Sequence, residues 1–198
     1  NALRSTDGSG GASQFGQDLF VWRNFFAQRR NPVHPTTGFY QGFYIDSGAN
    51  HYRELSNTFF FDKCLGWDGI CVEADPQYHD DLRSKRTCTV VPEAIAASPG
   101  TMQFRFRGVT GQLVAHGGTQ VVANPLGKML ERVGRNHADF WSLDVEGAEL
   151  DVLRGVSWSD ITIDSILVED FWLSNRHLDR LMTDPRLGYL KVRQLAID

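Results

Sequence analysis

The segment Gly38–Thr58, GFYQGFYIDSGANHYRELSNT, decides the fold. Its apolar run Phe43-Tyr44-Ile45 suits a buried strand that stops at Asp46. Ser47-Gly48-Ala49-Asn50 then forms a tight turn, and a helix is expected to follow and run through Phe59, Phe60 and Phe61. Strand, acid, glycine turn and helix open many nucleotide-binding α/β folds. The turn here is D-S-G-A-N rather than G-x-G-x-x-G. It lacks the glycine spacing that lets a backbone wrap a pyrophosphate, and it places a carboxylate where a dinucleotide site needs N–H donors.

On the amino side of this segment, residues 1–12 are rich in Gly, Ser and Ala and read as a flexible tail. Phe15, Leu19, Phe20, Trp22, Phe25 and Phe26 then recur at helical spacing behind Ser13, a candidate N-cap. These aromatics read as core. Residues 28–37, with Asn31-Pro32 and His34-Pro35, read as a loop.

On the carboxyl side, Gly66–Gly69 breaks the helix and Ile70-Cys71-Val72-Glu73 is a second short strand ending in an acid. Asp75-Pro76 starts a helix through Arg83. A third strand is expected over 87–95, interrupted at Pro92, and the alternation of 102–106 gives a strand with one wet face. Residues 108–118 are Gly-rich and without period, a loop. Helices are expected at 126–133, 145–155 and 174–182, and strands at 138–143, 161–168 and 189–197. Alternating strands and helices give an α/β fold with a mainly parallel sheet and no domain boundary.

The 198 residues suffice for one domain with a full core, and 41% hydrophobic and 22% charged residues are ordinary for a soluble protein. A net charge of −4 argues against nucleic acid or an anionic membrane as main partner. No apolar run reaches the roughly 20 residues of a membrane span. The chain starts at Asn1 without Met, so a fragment or processed form is expected, with further domains in a longer protein; a cytoplasmic location is the working expectation. Three cysteines, Cys64, Cys71 and Cys88, are expected to be reduced and mostly buried, with a single bridge as the alternative.

In such sheets the ligand lies beyond the carboxyl ends of the strands. This chain puts acids at every one: Asp46, Glu73, Glu93, Asp144 with Glu146, and Glu169 with Asp170. Acids also cap helices, but five strand ends in succession suit a cationic or hydroxyl-bearing ligand. S-adenosylmethionine (SAM) offers a sulfonium, an ammonium, ribose hydroxyls and an adenine amine, and no phosphate. A divalent metal would fit too. Glu73 stands where an acid binds ribose hydroxyls in dinucleotide folds. Glu149 sits three residues after Glu146 on one helix face, where it could pair with Arg154 or Arg132 as a solvated charge. His51 is the histidine nearest the turn.

The chain resembles the FkbM family of SAM-dependent methyltransferases. The resemblance rests on SQFGQD (13–18), GFYIDSGAN (42–50), LSNT (55–58), LGWDGICVEADP (65–76) and SLDVEGAELDVLRG (142–155), the last being the strongest. It implies a three-layer Rossmann-like methyltransferase domain over 13–198, with a seven-stranded sheet of which this chain supplies six, the last strand missing. It also implies SAM as donor, and a sugar, glycan or natural-product hydroxyl as acceptor. By position, Asp46, Gly48 and Asn50 should line the methionine end of SAM. Glu73 should hold the ribose beside Ala74 and Asp75, and Glu93 should reach the adenine. Asp144 should lie by the sulfonium, with Gln14 and Gln17 folded over the cofactor. Glu146, Glu149 and Glu169 should face the acceptor, with Asp144, Glu146 and Glu169 as the catalytic set. Two alternatives stand beside this: Mg2+ held by Asp144, Glu169 and Asp170, and a SAM- or carbohydrate-binding module without catalysis. An NAD enzyme is disfavoured by the turn.

Overall fold

A computed structural model describes residues 12–107, 110–114, 116–169 and 175–192. Five parallel strands form the central sheet: β1 (Phe43–Ser47), β2 (Asp68–Val72), β3 (Thr89–Val91), β8 (His137–Leu143) and β9 (Thr162–Val168), in the order β3-β2-β1-β8-β9. The order reverses between β1 and β8. β1 is buried along its whole length, as a strand covered on both faces must be.

The side-chain alternation of β1 builds two cores. Phe43 and Ile45 join Trp141, Leu143 and the helices α3 (Leu126–Arg132), α4 (Glu149–Arg154) and α5 (Asn175–Met182) on one face. Tyr44 joins Phe140, α1 (Gln17–Val21), the π-helical turns Trp22–Phe26 and Phe61–Leu65, and α2 (His79–Lys85) on the other. The three-layer α/β expectation therefore holds. In the second core Phe26 and Tyr40 each meet Trp67 edge to face and Phe61 meets it at a tilt, and Trp67 Nε1 donates to the Tyr40 carbonyl at 2.6 Å, so its one polar atom is satisfied.

Several local expectations are corrected. No helix follows the DSGAN turn directly. Residues 50–58 form an irregular loop with Leu55 at φ 61, and the helix begins at Phe59. Ser13 is not the cap of α1, which starts at Gln17 after a left-handed Gly16. Ser13 instead donates to Asp18 Oδ1 at 2.7 Å and bridges to Leu55. The third strand is split by Pro92 into β3 and β4 (Ala94–Ile95). The Gly-rich stretch 108–118 is not simply a loop: β5 (Gly100–Arg107), β6 (Thr110–Leu113) and β7 (Thr119–Asn124) form, with β4, a second sheet in the order β4-β7-β5-β6. Val145–Ala148 is a turn, and α4 begins only at Glu149.

Cys71 and Cys88 form a disulfide, so the expectation of three reduced thiols is wrong, and Cys64 alone is free. The two half-cystines lie on and just before adjacent strands, where β2 and β3 bring them within reach. Residues 1–11, most of the tail, lie outside the described residues, as do Asp170 and 193–197 of the expected final strand. Tyr189–Val192 form no strand. Among the described residues the central sheet has five strands rather than six, and no helix is long and apolar enough to cross a membrane.

Candidate active site

The site is built where β1 and β8 end side by side. Asp144 N donates to the Ser47 carbonyl at 3.0 Å, which locks the DSGAN turn to the turn after β8. Gly48 has φ 80, and a Cβ there would lie 1.8 Å from the Asp144 carbonyl oxygen. Only glycine allows the two turns to meet so closely.

The amide groups of the first turn are already used. Gly48 N and Ala49 N both donate to the Val72 carbonyl, at 3.0 and 3.2 Å. Asn50 N donates to Glu73 Oε2 at 2.7 Å. A phosphate-binding turn aims such groups at its ligand; this one spends them on the end of β2. Glu73 also accepts from Asp75 N through Oε1 at 2.7 Å, so the carboxylate is fixed against the loop that follows it. Burial pushes its pKa up to about 7, against the pull of those two amides and with the help of the Asp75 and Asp46 charges.

Asp46 turns the other way. It is buried, accepts from Thr58 Oγ1 at 2.5 Å and lies 3.7 Å from the guanidinium of Arg86. Burial raises its pKa although Arg86 and Thr58 oppose this. Arg86 is wholly buried and holds the underside of the site. It donates to Asp62, to the Tyr52 carbonyl and to the hydroxyls of Ser56, Tyr44 and Thr58. The 50–58 loop is thus hung on Arg86. Within it Asn57 Nδ2 donates to Ser142 Oγ at 3.1 Å, while its Oδ1 is buried without a partner at the cavity wall.

On the β8 side, Glu146 has φ 56 and Gly147 φ 103, a turn that presents Glu146 to the cavity. Burial, a hydrogen bond with Glu169 and the charges of Glu169, Glu146 and Glu149 push the Asp144 carboxyl far above the usual range. Glu149 is not a surface partner of arginine: it is 1% exposed and accepts from Val145 N and Gly147 N, while Arg154 pairs with Asp151 and Arg132 with Glu93.

Of these groups, the Gly48 turn, Asn57, Glu73, Asp144, Glu146 and Glu169 line one cavity of about 1720 Å³, with β4, β5 and aromatics of the amino-terminal segment such as Phe20 and Phe25; Arg86 and Glu149, the latter expected to face the acceptor, lie behind its wall. A single small-molecule site takes roughly 300–1,000 Å³; this one has room for two reactants. Residues 46–191 match the family of the methyltransferase FkbM domain. The chain belongs to the FkbM methyltransferase family. It is also similar to the crystal structure of methyltransferase FkbM from Methylobacillus flagellatus KT, at 12% identity over 87% of this chain and 46% of that one, with a TM-score of 0.47. The chain thus spans about half the length of that protein. No curated protein matches it.

In this FkbM domain the cavity brings together Gln14, Gln17, Asp46, Gly48, Asn50, Glu73, Ala74, Asp75, Glu93, Asp144, Glu146 and Glu169 among its lining residues. Their availability differs. Gln17 Oε1 accepts from Phe15 N, and Asp75 caps the turn Pro76–Tyr78 through Gln77 N. Both oxygens of Glu93 are taken by Arg132 and Asn124. His51 Nδ1 caps its own turn by accepting from Arg53 N and Glu54 N. The sequence reading assigned no role to Asn57 or Arg86. The LSNT motif pointed to the first; nothing local points to the second.

A pH dependence follows from Glu73. A ligand that donates hydroxyls or carries positive charge favours the carboxylate, so binding must expel the proton below about pH 7. Affinity for any ligand that hydrogen-bonds this carboxylate, S-adenosylhomocysteine (SAH) being the one to try, is expected to rise about tenfold between pH 6 and 8 and then level off, the linkage of one proton. In the free chain the sign is opposite. A raised carboxyl pKa stabilises the fold below the unfolded value of 4.5, and that contribution is lost as pH rises through about 7. SAH titrations at several pH values check the first, and urea midpoints the second.

Proposed function

We propose that the domain transfers the methyl group of SAM to a hydroxyl of a sugar, glycan or natural-product acceptor. The observation that carries the reading is the spent turn: Gly48, Ala49 and Asn50 give their N–H groups to Val72 and Glu73, so the switch point favours a donor without phosphate. Glu73 then accepts the ribose hydroxyls through its remaining lone pairs. The orphan Asn57 Oδ1 accepts from the ammonium of the methionine end. Asp144 lies at the methyl side.

In the transfer, the acceptor oxygen attacks the methyl carbon, the carbon–sulfur bond breaks, and its electron pair stays on sulfur. The acceptor proton passes to Glu146, which the positive-φ turn holds at the cavity. Most of the rate comes from alignment of the two reactants, and base assistance adds on the order of 10²–10⁴-fold. Glu146→Gln is expected to cut transfer of labelled methyl from SAM by that factor while SAH affinity changes less than about threefold. Equal rates in both proteins would remove Glu146 from the reaction.

A further inference from the structure

We infer that Asp144, Glu149 and Glu169 form a binding site for a hard divalent cation, Mg2+ or Mn2+, at the acceptor side of the cavity. The cation's part in the reaction rests on the methyl-transfer reading above; its binding does not. One oxygen from each of the three carboxylates lies within 4.8 Å of the others. Oxygens that share one cation lie at most about 4–5 Å apart, twice the metal–oxygen distance. The three come from separate elements: the end of β8, the first turn of α4 and the end of β9.

A cluster of acids alone would mean little, and Glu149 supplies the second observation. It is 1% exposed. Val145 N and Gly147 N, at 2.9 and 3.1 Å, hold its Oε1, while Oε2 is buried with no hydrogen-bond partner. A buried carboxylate oxygen without a partner is costly. Arg154 and Arg132 are engaged elsewhere, with Asp151 and Glu93. The backbone therefore pins this carboxylate by one oxygen and leaves the other for a ligand that brings its own positive charge. The Asp170 expected from the sequence lies outside the described residues, and Glu149 completes the trio instead.

The second cluster, His137, Asp139 and Asp164, differs. Asp139 is satisfied by Tyr40 Oη and Phe43 N, and Arg29 bridges it to Asp164. That group is a closed polar network at the opposite end of the strands.

With an acceptor hydroxyl on the cation, its O–H bond is polarised and the proton leaves for Glu146 as the oxygen takes the methyl group. The test is a titration of the EDTA-stripped, dialysed 198-residue chain with MnCl2, reading free Mn2+ by electron paramagnetic resonance. One Mn2+ per chain is expected, with Kd below about 1 mM, the weak end of protein oxygen sites. Mg2+ should displace it. Glu149→Gln and Glu169→Gln should each weaken it at least about tenfold, a change of about 1.4 kcal/mol, and leave SAH affinity within about threefold. Glu169 is exposed, so its variant keeps the test sound if the buried substitution perturbs folding. Absence of Mn2+ binding below about 1 mM, or binding undiminished in Glu169→Gln, overturns the site. Failure of the wild-type chain to bind SAH would refute the methyl-donor reading and leave the Mn2+ count standing.

Discussion

Arg86→Ala is expected to destabilise the domain by about 3–5 kcal/mol, the cost of leaving one half of a buried ion pair without its partner. Asp62, itself wholly buried, accepts from Arg86 Nε, Tyr44 Oη, Thr87 N and Thr87 Oγ1. Removal of the guanidinium leaves Asp62 and Asp46 buried together with no cation. It also frees the 50–58 loop, because the Tyr52 carbonyl and the Ser56 and Thr58 hydroxyls lose the same donor. Lysine should not rescue it, since one ammonium cannot replace donors directed along Nε, Nη1 and Nη2. Urea denaturation measures the loss. A shift below about 1 kcal/mol, the range of an exposed pair, would show that the network is dispensable.

Gly48→Ala is the second large effect. The added Cβ meets a backbone carbonyl at 1.8 Å, not a side chain that can swing away, and φ 80 is strained for any residue with a Cβ. Left-handed strain costs about 1–3 kcal/mol and overpacking about 1–3, so a loss of about 2–6 kcal/mol is expected. Relief requires the turns after β1 and β8 to part, which displaces Asp144 from Ser47. SAH binding should be lost even in the folded fraction. An alanine variant with wild-type urea midpoint and affinity would mean that the two turns do not touch.

The β1 turn and the turn after β8 were legible because each is a short run whose chemistry is local: an apolar strand, an acid at its end, a glycine that must take positive φ. The carboxylates at the ends of β1, β2, β8 and β9 followed from the same strand endings, and the cavity gathers them. What was missed depends on distant partners. The stretch His51–Thr58 carries no Pro or Gly to stop a helix. It stays irregular because Arg86, some 30 residues on, occupies its carbonyl and hydroxyls. Glu149 had two readings, one facing the acceptor and one paired with arginine at the surface; the left-handed Glu146–Gly147 turn instead draws its carboxylate inward onto backbone amides. The Gly-rich stretch gains its strands only by pairing β5 with β6 and β7, which no local period announces. The Cys71–Cys88 bridge was within reach of reasoning: adjacent parallel strands bring positions 17 apart together.

Calorimetric titration with SAH and, separately, NADH tests most directly whether the turn at Gly48 receives a phosphate-free adenosine ligand. Saturable SAH binding is expected, with NADH weaker by at least about tenfold, since no amide of the turn is left for its pyrophosphate. Glu73→Ala should weaken SAH by about 1–3 kcal/mol, the scale of hydrogen bonds to a charged group. NADH binding tighter than SAH, or SAH affinity untouched by Glu73→Ala, would contradict the account.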